Sequence, residues 1–170
     1  PVARTNLGVL YRRTGRDSLA RIHFEHILAV SPDVLAARLN LAGVLLSADH
    51  WREAQWHYGE ALRFGDTNGV AQHALGLIAD RFQGDPIAAL GHYDRALALA
   101  PTAARPAYLV HRAVALKKLQ RLAEAETSYR EALQADPGSV DAWYNLANLY
   151  REKGRIVEAR RAYQRVVSLD

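Results

Sequence analysis

The sequence contains no cysteine and no methionine. Without cysteine, the protein has no disulfide, no thiolate metal site and no thiol nucleophile. No apolar run approaches the roughly 18 residues that a membrane-spanning helix needs. Because the chain starts at Pro1 and lacks methionine, we expect it to be a piece of a longer protein, with any signal segment outside it. The sequence therefore indicates no particular cellular compartment.

The motifs of common catalytic sites are also missing. There is no glycine-rich phosphate loop, no serine nucleophile turn of the G-x-S-x-G type and no HExxH zinc motif. Carboxylates such as Glu124 and Glu126 fall on a predicted helix, where contact with solvent is the default expectation. We therefore predict a protein that is not an enzyme and that holds no cofactor and no metal.

Lysine is scarce, since the chain has 3 lysines and 19 arginines. The formal net charge is only +4 over 170 residues, and 49% of the residues are hydrophobic. This composition is typical of a globular chain. A mild positive charge without aromatic residues interleaved along a basic surface does not favour a nucleic-acid partner.

A repeated pattern dominates the sequence. A small residue is followed four positions later by an aromatic residue, which places both on one face of a helix. The five pairs are Ala20 and Phe24, Ala54 and Tyr58, Ala89 and Tyr93, Ala125 and Tyr129, and Ala159 and Tyr163. Successive pairs are 34, 35, 36 and 34 residues apart. Such a period indicates a chain built from stacked supersecondary units.

Each unit is predicted to be a helix, a short turn and a second helix. Glycines such as Gly15 and Gly154 lie between the halves, where a tight turn favours a positive φ. The first helices are predicted over 2–14, 35–48, 69–82, 106–119 and 140–153. The second helices are predicted over 17–30, 51–63, 85–99, 122–135 and 156–169.

These residues resemble the tetratricopeptide repeat, a 34-residue helical unit. The fifth unit carries the resemblance through Trp143, Leu146, Ala147, Tyr150, Gly154, Ala159 and Tyr163. The first carries it through Leu7, Gly8, Tyr11, Gly15, Ala20, Phe24 and Pro32. The resemblance implies an all-α fold, a right-handed α-solenoid of stacked antiparallel helix pairs. A single solenoid domain would span 1–170, with units of about 1–34, 35–68, 69–105, 106–139 and 140–170.

The third unit departs from the ideal length. It has about one extra residue near Phe82 and Gln83 and about two more after Pro101. We expect the superhelix to be locally irregular around 82–84 and 101–105. Neither end of the array carries an obvious polar cap, so we expect either a continuing chain or a partner at the last helix.

The resemblance also implies that the first helices line a concave groove that binds a peptide or partner domain. The groove candidates are Asn6, Val9, Arg13, Leu39, Asn40, His73, Leu77, Arg81, Val110, His111, Lys117, Tyr144, Asn145, Asn148 and Arg151. Three asparagines share one place in their units, with His111 as the polar substitute in the fourth. A row of amides can pair with the backbone of an extended peptide, whereas the alternative is that each bonds a neighbouring helix.

Apolar residues in the middle of this groove and basic residues at its edge favour a peptide with apolar anchors and some acidic character. The alternative for the basic edge is a solvated surface. Two apolar residues on the opposite side, Ile22 and Trp56, form a candidate convex patch. The sequence thus predicts a non-catalytic interaction scaffold. The alternatives are a self-assembly module that uses the ends or the patch, and a substrate-presenting arm of a larger enzyme such as a glycosyltransferase.

Overall fold

The computed structural model describes residues 2–169 as ten α-helices and one short 3-10 helix, with no strand in this range. The first helices of the five units are α1 (Val2–Arg13), α3 (Leu35–Ser47), α5 (Val70–Arg81), α7 (Arg105–Lys118) and α9 (Val140–Glu152). The second helices are α2 (Asp17–Val30), α4 (Trp51–Arg63), α6 (Pro86–Leu99), α8 (Leu122–Ala135) and α10 (Ile156–Leu169). Every predicted helix is present, with ends that differ from the prediction by no more than about one residue.

The small and aromatic residues of the repeat hold the two helices of each unit together. Ala20 and Phe24 are fully buried, and so are Ala125 and Tyr129. A Cβ atom on Gly76 would lie 2.5 Å from Cε1 of Tyr93, closer than any real contact of this kind. The small residue of the first helix is therefore required because the aromatic ring of the second helix occupies that space.

The turns within the units follow one geometry with one exception. The amide of Arg121 donates to the carbonyl of Leu116 at 2.9 Å, and the preceding residue, Gln120, has a positive φ of 59°. The third unit is one residue longer in its turn, and there the amide of Asp85 reaches the carbonyl of Ala79 at 2.9 Å. The extra residue predicted in this turn is confirmed.

The helix after that turn begins as its sequence predicts. The carboxylate of Asp85 accepts hydrogen bonds from the amides of Ile87 and Ala88 at 3.1 and 2.9 Å, and Pro86 occupies the first helical position. At the far end of this unit, the extra residues after Pro101 form the 3-10 helix Thr102–Ala104, which leads directly into α7.

Stacking of the units places the first helices on one side of the array. Each second helix packs against the first helix of the next unit. First helices also contact each other, α1 with α3, α5 with α7 and α7 with α9, whereas no two second helices of the described residues make a comparable contact. The first helices are thus closer together, which places them on the inner side of the solenoid.

The buried core divides into two clusters that meet within α5. One cluster runs from α2 into α5, where it takes Ala71, Ala74, Leu75 and Ile78. The other begins at the next residue, Ala79, and continues to α10. The array is therefore one stack of helices with two cores.

Candidate functional site

The groove surface is the inner side formed by the first helices, and all the residues that the sequence analysis selected for the groove belong to these helices. Its floor is apolar. Val9, Leu39 and Leu77 are half-buried and rest on the cores. Val110 occupies the matching region of the fourth unit, but it is only 8% exposed and belongs to the core. It is therefore corrected from a groove candidate to a packing residue.

The three asparagines of the row differ in the hydrogen bonds that their side chains make inside the protein. The Asn40 amide donates to the carbonyl of Ala36 at 2.8 Å, and its oxygen accepts from Arg12 at 3.2 Å. The Asn145 amide donates to the carbonyl of Asp141 at 2.8 Å, one turn back in its own helix. An amide group has two donor hydrogens and an acceptor oxygen, so Asn145 keeps one donor and its acceptor for a ligand. Asn6 is exposed on α1.

Two histidines link the third and fourth units across the groove surface. The Nε2 atom of His73 lies 2.8 Å from Nδ1 of His111, and the His73 ring stacks on Tyr108 with centroids 4.1 Å apart. Burial, and secondarily the neighbouring His111, lowers the pKa of His73 to about 3. Burial also lowers the pKa of His111, with a further contribution from the charge of Arg81. The pair is therefore neutral at physiological pH.

About half of the basic edge is already paired within the protein. Lys117 forms a 2.8 Å ion pair with Glu152 on α9, and Lys118 forms one with Asp80 on α5 at the same distance. Arg12 is held by Asn40. The remaining cations, Arg13, Arg81 and Arg151, are exposed, and their guanidinium groups make no hydrogen bond or ion pair among residues 2–169. These three arginines are the free positive charges of the edge.

The fifth unit presents a different surface from the others. Tyr144 is 52% exposed, and its ring packs edge-on against Tyr163 at a centroid distance of 6.2 Å. The Tyr163 hydroxyl donates to the oxygen of Asn148 at 2.7 Å. Asn148 thus bonds α10 within its own unit, whereas Tyr144 stays largely exposed.

Ile22 and Trp56, the candidates for a convex patch, belong to the second helices α2 and α4 and are each 59% exposed. The structure adds Arg38, which is 5% exposed and donates to the carbonyl of Pro32. Its guanidinium lies 5.6 Å from the centre of the Trp56 ring and 5.1 Å from that of Phe64. Sequence reasoning missed this arginine because the contact brings together three parts of the chain with no shared periodicity.

Among residues 2–169, no group of three or more His, Asp or Glu side chains is arranged to hold a metal ion. Within the same range, the helices are too short or too polar to cross a bilayer.

Sequence comparison relates this chain to known repeats. Two profiles described as tetratricopeptide repeat match residues 78–140 and 116–170. The protein O-mannosyl-transferase TMTC1 of Homo sapiens is 29% identical over 165 residues, which is 96% of this chain. The chain spans only 19% of the length of that curated relative, so the similarity is to one part of it.

Solved structures give the same fold at lower identity. PilW, described as a widely conserved type IV pilus biogenesis factor, is similar with a TM-score of 0.88 at 21% identity, covering 98% of this chain and 76% of its own. YrrB, described as a TPR protein with an unusual peptide-binding site, has a TM-score of 0.74 at 22% identity, covering 98% and 84%. At such identities the likeness concerns the fold alone.

The helical array, the repeat period and the comparisons agree on the class of protein. The predicted all-α solenoid is confirmed, and the ten helices of residues 2–169 fit five units. Proteins with this fold are scaffolds that bind proteins or peptides, typically without catalysis. The chain belongs to the tetratricopeptide repeat family.

Proposed function

We propose that the groove surface binds an extended peptide that carries apolar anchor side chains and acidic residues. The observation that supports this proposal is the set of side chains that the first helices carry. These helices have half-buried apolar residues, asparagine amides and three exposed arginines whose side chains have no ion pair among residues 2–169. Each of these three kinds of side chain matches one part of a peptide.

The amide row would hold the peptide backbone. Asn6 is exposed, and Asn145 retains one donor hydrogen and its acceptor oxygen. Such groups pair with backbone N–H and C=O groups whatever the side chains of the peptide are. The apolar floor at Val9, Leu39 and Leu77 would then take every second or third side chain and supply most of the affinity.

The free arginines would select for acidic side chains. Arg13, Arg81 and Arg151 have no ion pair in the described chain, so a carboxylate could bind them without breaking an existing contact. The paired Lys117 is a weaker candidate, although its bond to Glu152 is partly exposed and such pairs contribute only about 0–1 kcal/mol. Exchange of Glu152 for a ligand carboxylate would therefore cost little.

The test is peptide selection from a random 12-residue display library against the whole 170-residue chain. We expect the selected peptides to combine apolar residues with Asp or Glu. Their binding, followed by fluorescence anisotropy, is expected to weaken about 5- to 50-fold when Arg81 is replaced by Glu, because a repulsion replaces an attraction. Replacement of Asn145 by Ala is expected to weaken binding of all selected peptides to a similar extent.

The matched control is Trp56→Ala, which changes the opposite side of the array and should leave binding unchanged. Circular dichroism and thermal unfolding establish that each variant is folded. The proposal is wrong if the selected peptides lack acidic residues, or if Arg81→Glu and Asn145→Ala bind them as well as the unmodified chain.

A second candidate function is a substrate-presenting arm of a larger enzyme. The similarity to the human O-mannosyl-transferase, which extends over 96% of this chain and only 19% of that protein, favours it. If this is right, the natural polypeptide should be much larger than 18.9 kDa and contain a catalytic domain. Mass spectrometry of the protein purified from its source measures this, and a mass without room for a second domain would exclude it.

A further inference from the structure

Two neighbouring clefts share Trp143 and Tyr150 of α9 as parts of their walls. One cleft, of about 300 Å³, lies between α8 and α9, where Leu133 and Leu146 add apolar surface. The other, of about 260 Å³, lies between α9 and α10, where Ala162 adds apolar surface. Sites for whole small-molecule ligands have volumes of roughly 300–1,000 Å³, so each of these clefts suits one bulky side chain.

The clefts are separate from the groove surface. Successive residues of an α-helix are turned by about 100°, so Trp143 and Tyr150, seven positions apart, lie on one side of α9. By the same geometry Asn145 and Asn148 lie on the opposite side of this helix. No groove candidate lines either cleft among the described residues.

The α10 wall of the second cleft carries Arg161 and Arg165, which are both exposed. Residues of α8 and α10 correspond at an offset of 34 positions, and α9 packs against α8. The counterparts of the two arginines in α8, Thr127 and Glu131, are exposed although α9 and α10 follow them. A second helix of this array therefore keeps this face open when the stack continues beyond it.

The clefts carry positive charge that the protein does not compensate. The guanidinium groups of Arg161 and Arg165 make no hydrogen bond or ion pair among residues 2–169. That of Arg165 lies 5.9 Å from the centre of the Trp143 ring. Glu158, the one carboxylate among the described lining residues, is already bonded by Arg155 at 2.8 Å. Apolar walls beside free cations favour an occupant in which apolar and acidic residues are neighbours.

The second unit shows a related contact made within the chain. At an offset of 105 positions, Trp143 corresponds to Arg38 and Arg161 corresponds to Trp56. The ring of Trp56 lies 5.6 Å from the guanidinium of Arg38, so an aromatic ring and a cation meet between the two helices of that unit. In the fifth unit the ring belongs to the first helix and the cations to the second, and a cleft separates the helices there.

We propose that the two clefts bind a segment of a partner protein that carries one bulky apolar side chain for each cleft and acidic residues beside them. The apolar side chains pack against Trp143 and Tyr150, and the carboxylates pair with Arg161 and Arg165. Nucleic acid is a poorer occupant, because the walls are apolar and the two free arginines do not form an extended basic stripe.

The test is a selection from a random 12-residue display library, made in parallel on the unmodified 170-residue chain and on its Arg165→Glu variant. We expect a class of peptides that is enriched only on the unmodified chain and that combines bulky apolar residues with Asp or Glu. Fluorescence anisotropy should show their binding weakened at least about fivefold by Arg165→Glu and by Arg161→Glu, because a repulsion replaces an attraction. Replacement of the apolar residues of such a peptide by Ser should abolish its binding.

The matched control is Arg160→Glu, which makes the same change of charge on α10 at an exposed position that lines neither cleft. This variant should bind the peptides as well as the unmodified chain does. Arg81→Glu, which changes the groove surface, should also leave their binding intact, so failure of this proposal is distinguishable from failure of the groove proposal. All the replaced side chains are exposed, and circular dichroism verifies that the variants are folded.

Trp143 provides a local readout of binding. The chain has 3 tryptophans, so its spectrum of indole N–H groups in nuclear magnetic resonance is simple to assign by single replacements with Phe. The indole N–H of Trp143 donates to the carbonyl of Pro137 at 3.0 Å. On addition of a selected peptide, its resonance should shift more than those of Trp51 and Trp56.

The proposal is overturned if no peptide class is restricted to the unmodified chain, or if that class lacks acidic residues. It is also overturned if Arg160→Glu weakens binding as much as Arg165→Glu, or if the Trp143 resonance does not move. A dimer in sedimentation velocity that Arg165→Glu dissociates would assign the clefts to a second copy of this chain. Tighter binding of a 12-nucleotide single-stranded DNA than of the selected peptides, lost in Arg165→Glu, would assign them to nucleic acid.

Discussion

The imidazole rings of His73 and His111 share a single hydrogen bond of 2.8 Å between α5 and α7. One ring must donate and the other accept, so the bond fails when both rings are protonated. Both pKa values are lowered in the fold, that of His73 to about 3. The unfolded chain therefore binds more protons at mildly acidic pH, and acid must destabilise the protein.

The first prediction concerns this pair. Its stabilising effect is complete above the unfolded pKa of about 6.5 and declines as the pH falls, by about 1–2 kcal/mol at pH 5. Replacement of His73 by Phe keeps a ring against Tyr108 and removes the titrating group. Urea unfolding at pH 7.5 and at pH 5 should show a smaller loss of stability in this variant. His26→Phe, at an exposed position, is the control. This variant should lose as much stability between pH 7.5 and pH 5 as the unmodified chain does.

The second prediction concerns Glu126, which is 8% exposed and pairs with Lys153, Arg155 and Arg130. Burial alone would raise its pKa, but the hydrogen bonds from Lys153 and Arg155 outweigh burial and lower it. Replacement by Gln should cost about 1–2 kcal/mol at pH 7, less than for a fully buried pair because the cations are partly exposed.

A lowered carboxyl pKa gives this effect a defined pH window. The contribution of Glu126 is present above the unfolded pKa of about 4.5 and disappears as the pH falls through the lower folded pKa. Chemical unfolding should therefore show a larger difference in stability between the Glu126→Gln variant and the unmodified chain at pH 7 than near pH 3. A constant difference across this range would show that packing, not charge, is responsible.

The third prediction separates backbone strain from steric overlap. Gly15 and Gly69 have nearly the same φ, 70° and 71°. A Cβ on Gly15 meets nothing within 4 Å, whereas one on Gly69 would lie 2.5 Å from the carbonyl oxygen of Ala96. Gly15→Ala should cost about 1 kcal/mol from strain alone. Gly69→Ala should cost about 2–4 kcal/mol, because rigid backbone must move as well. Thermal unfolding of both variants measures the difference, and equal losses would contradict the steric argument.

The sequence was sufficient to predict the helices because the same pattern occurs five times. A small residue and an aromatic residue four positions apart marked the second helix of each unit. The turn at Gly15 or Gly154 marked the boundary between the two helices of a unit. Two turns lacked that signal. Asp49 and Gln120 adopt positive φ values of 60° and 59° without being glycine, since the repeat geometry imposes the conformation on whichever residue stands there.

The groove surface could be predicted by position but not by the bonds its residues make. The sequence placed His73 and His111 among the candidates, yet they lie 38 residues apart and occupy adjacent rather than equivalent places in their units. Only the packed structure brings the rings together. Similarly, no sequence pattern shows that Asn145 bonds a carbonyl of its own helix, since that depends on its rotamer, or that Val110 is buried, since that depends on packing between units.

The division of the core inside α5 has a mechanical consequence. Ile78 belongs to one cluster and Ala79 to the other, so the two cores adjoin within a single helix. Since α5 contributes to both cores, tension applied at the ends of the chain should extend it in two force steps, one for each core.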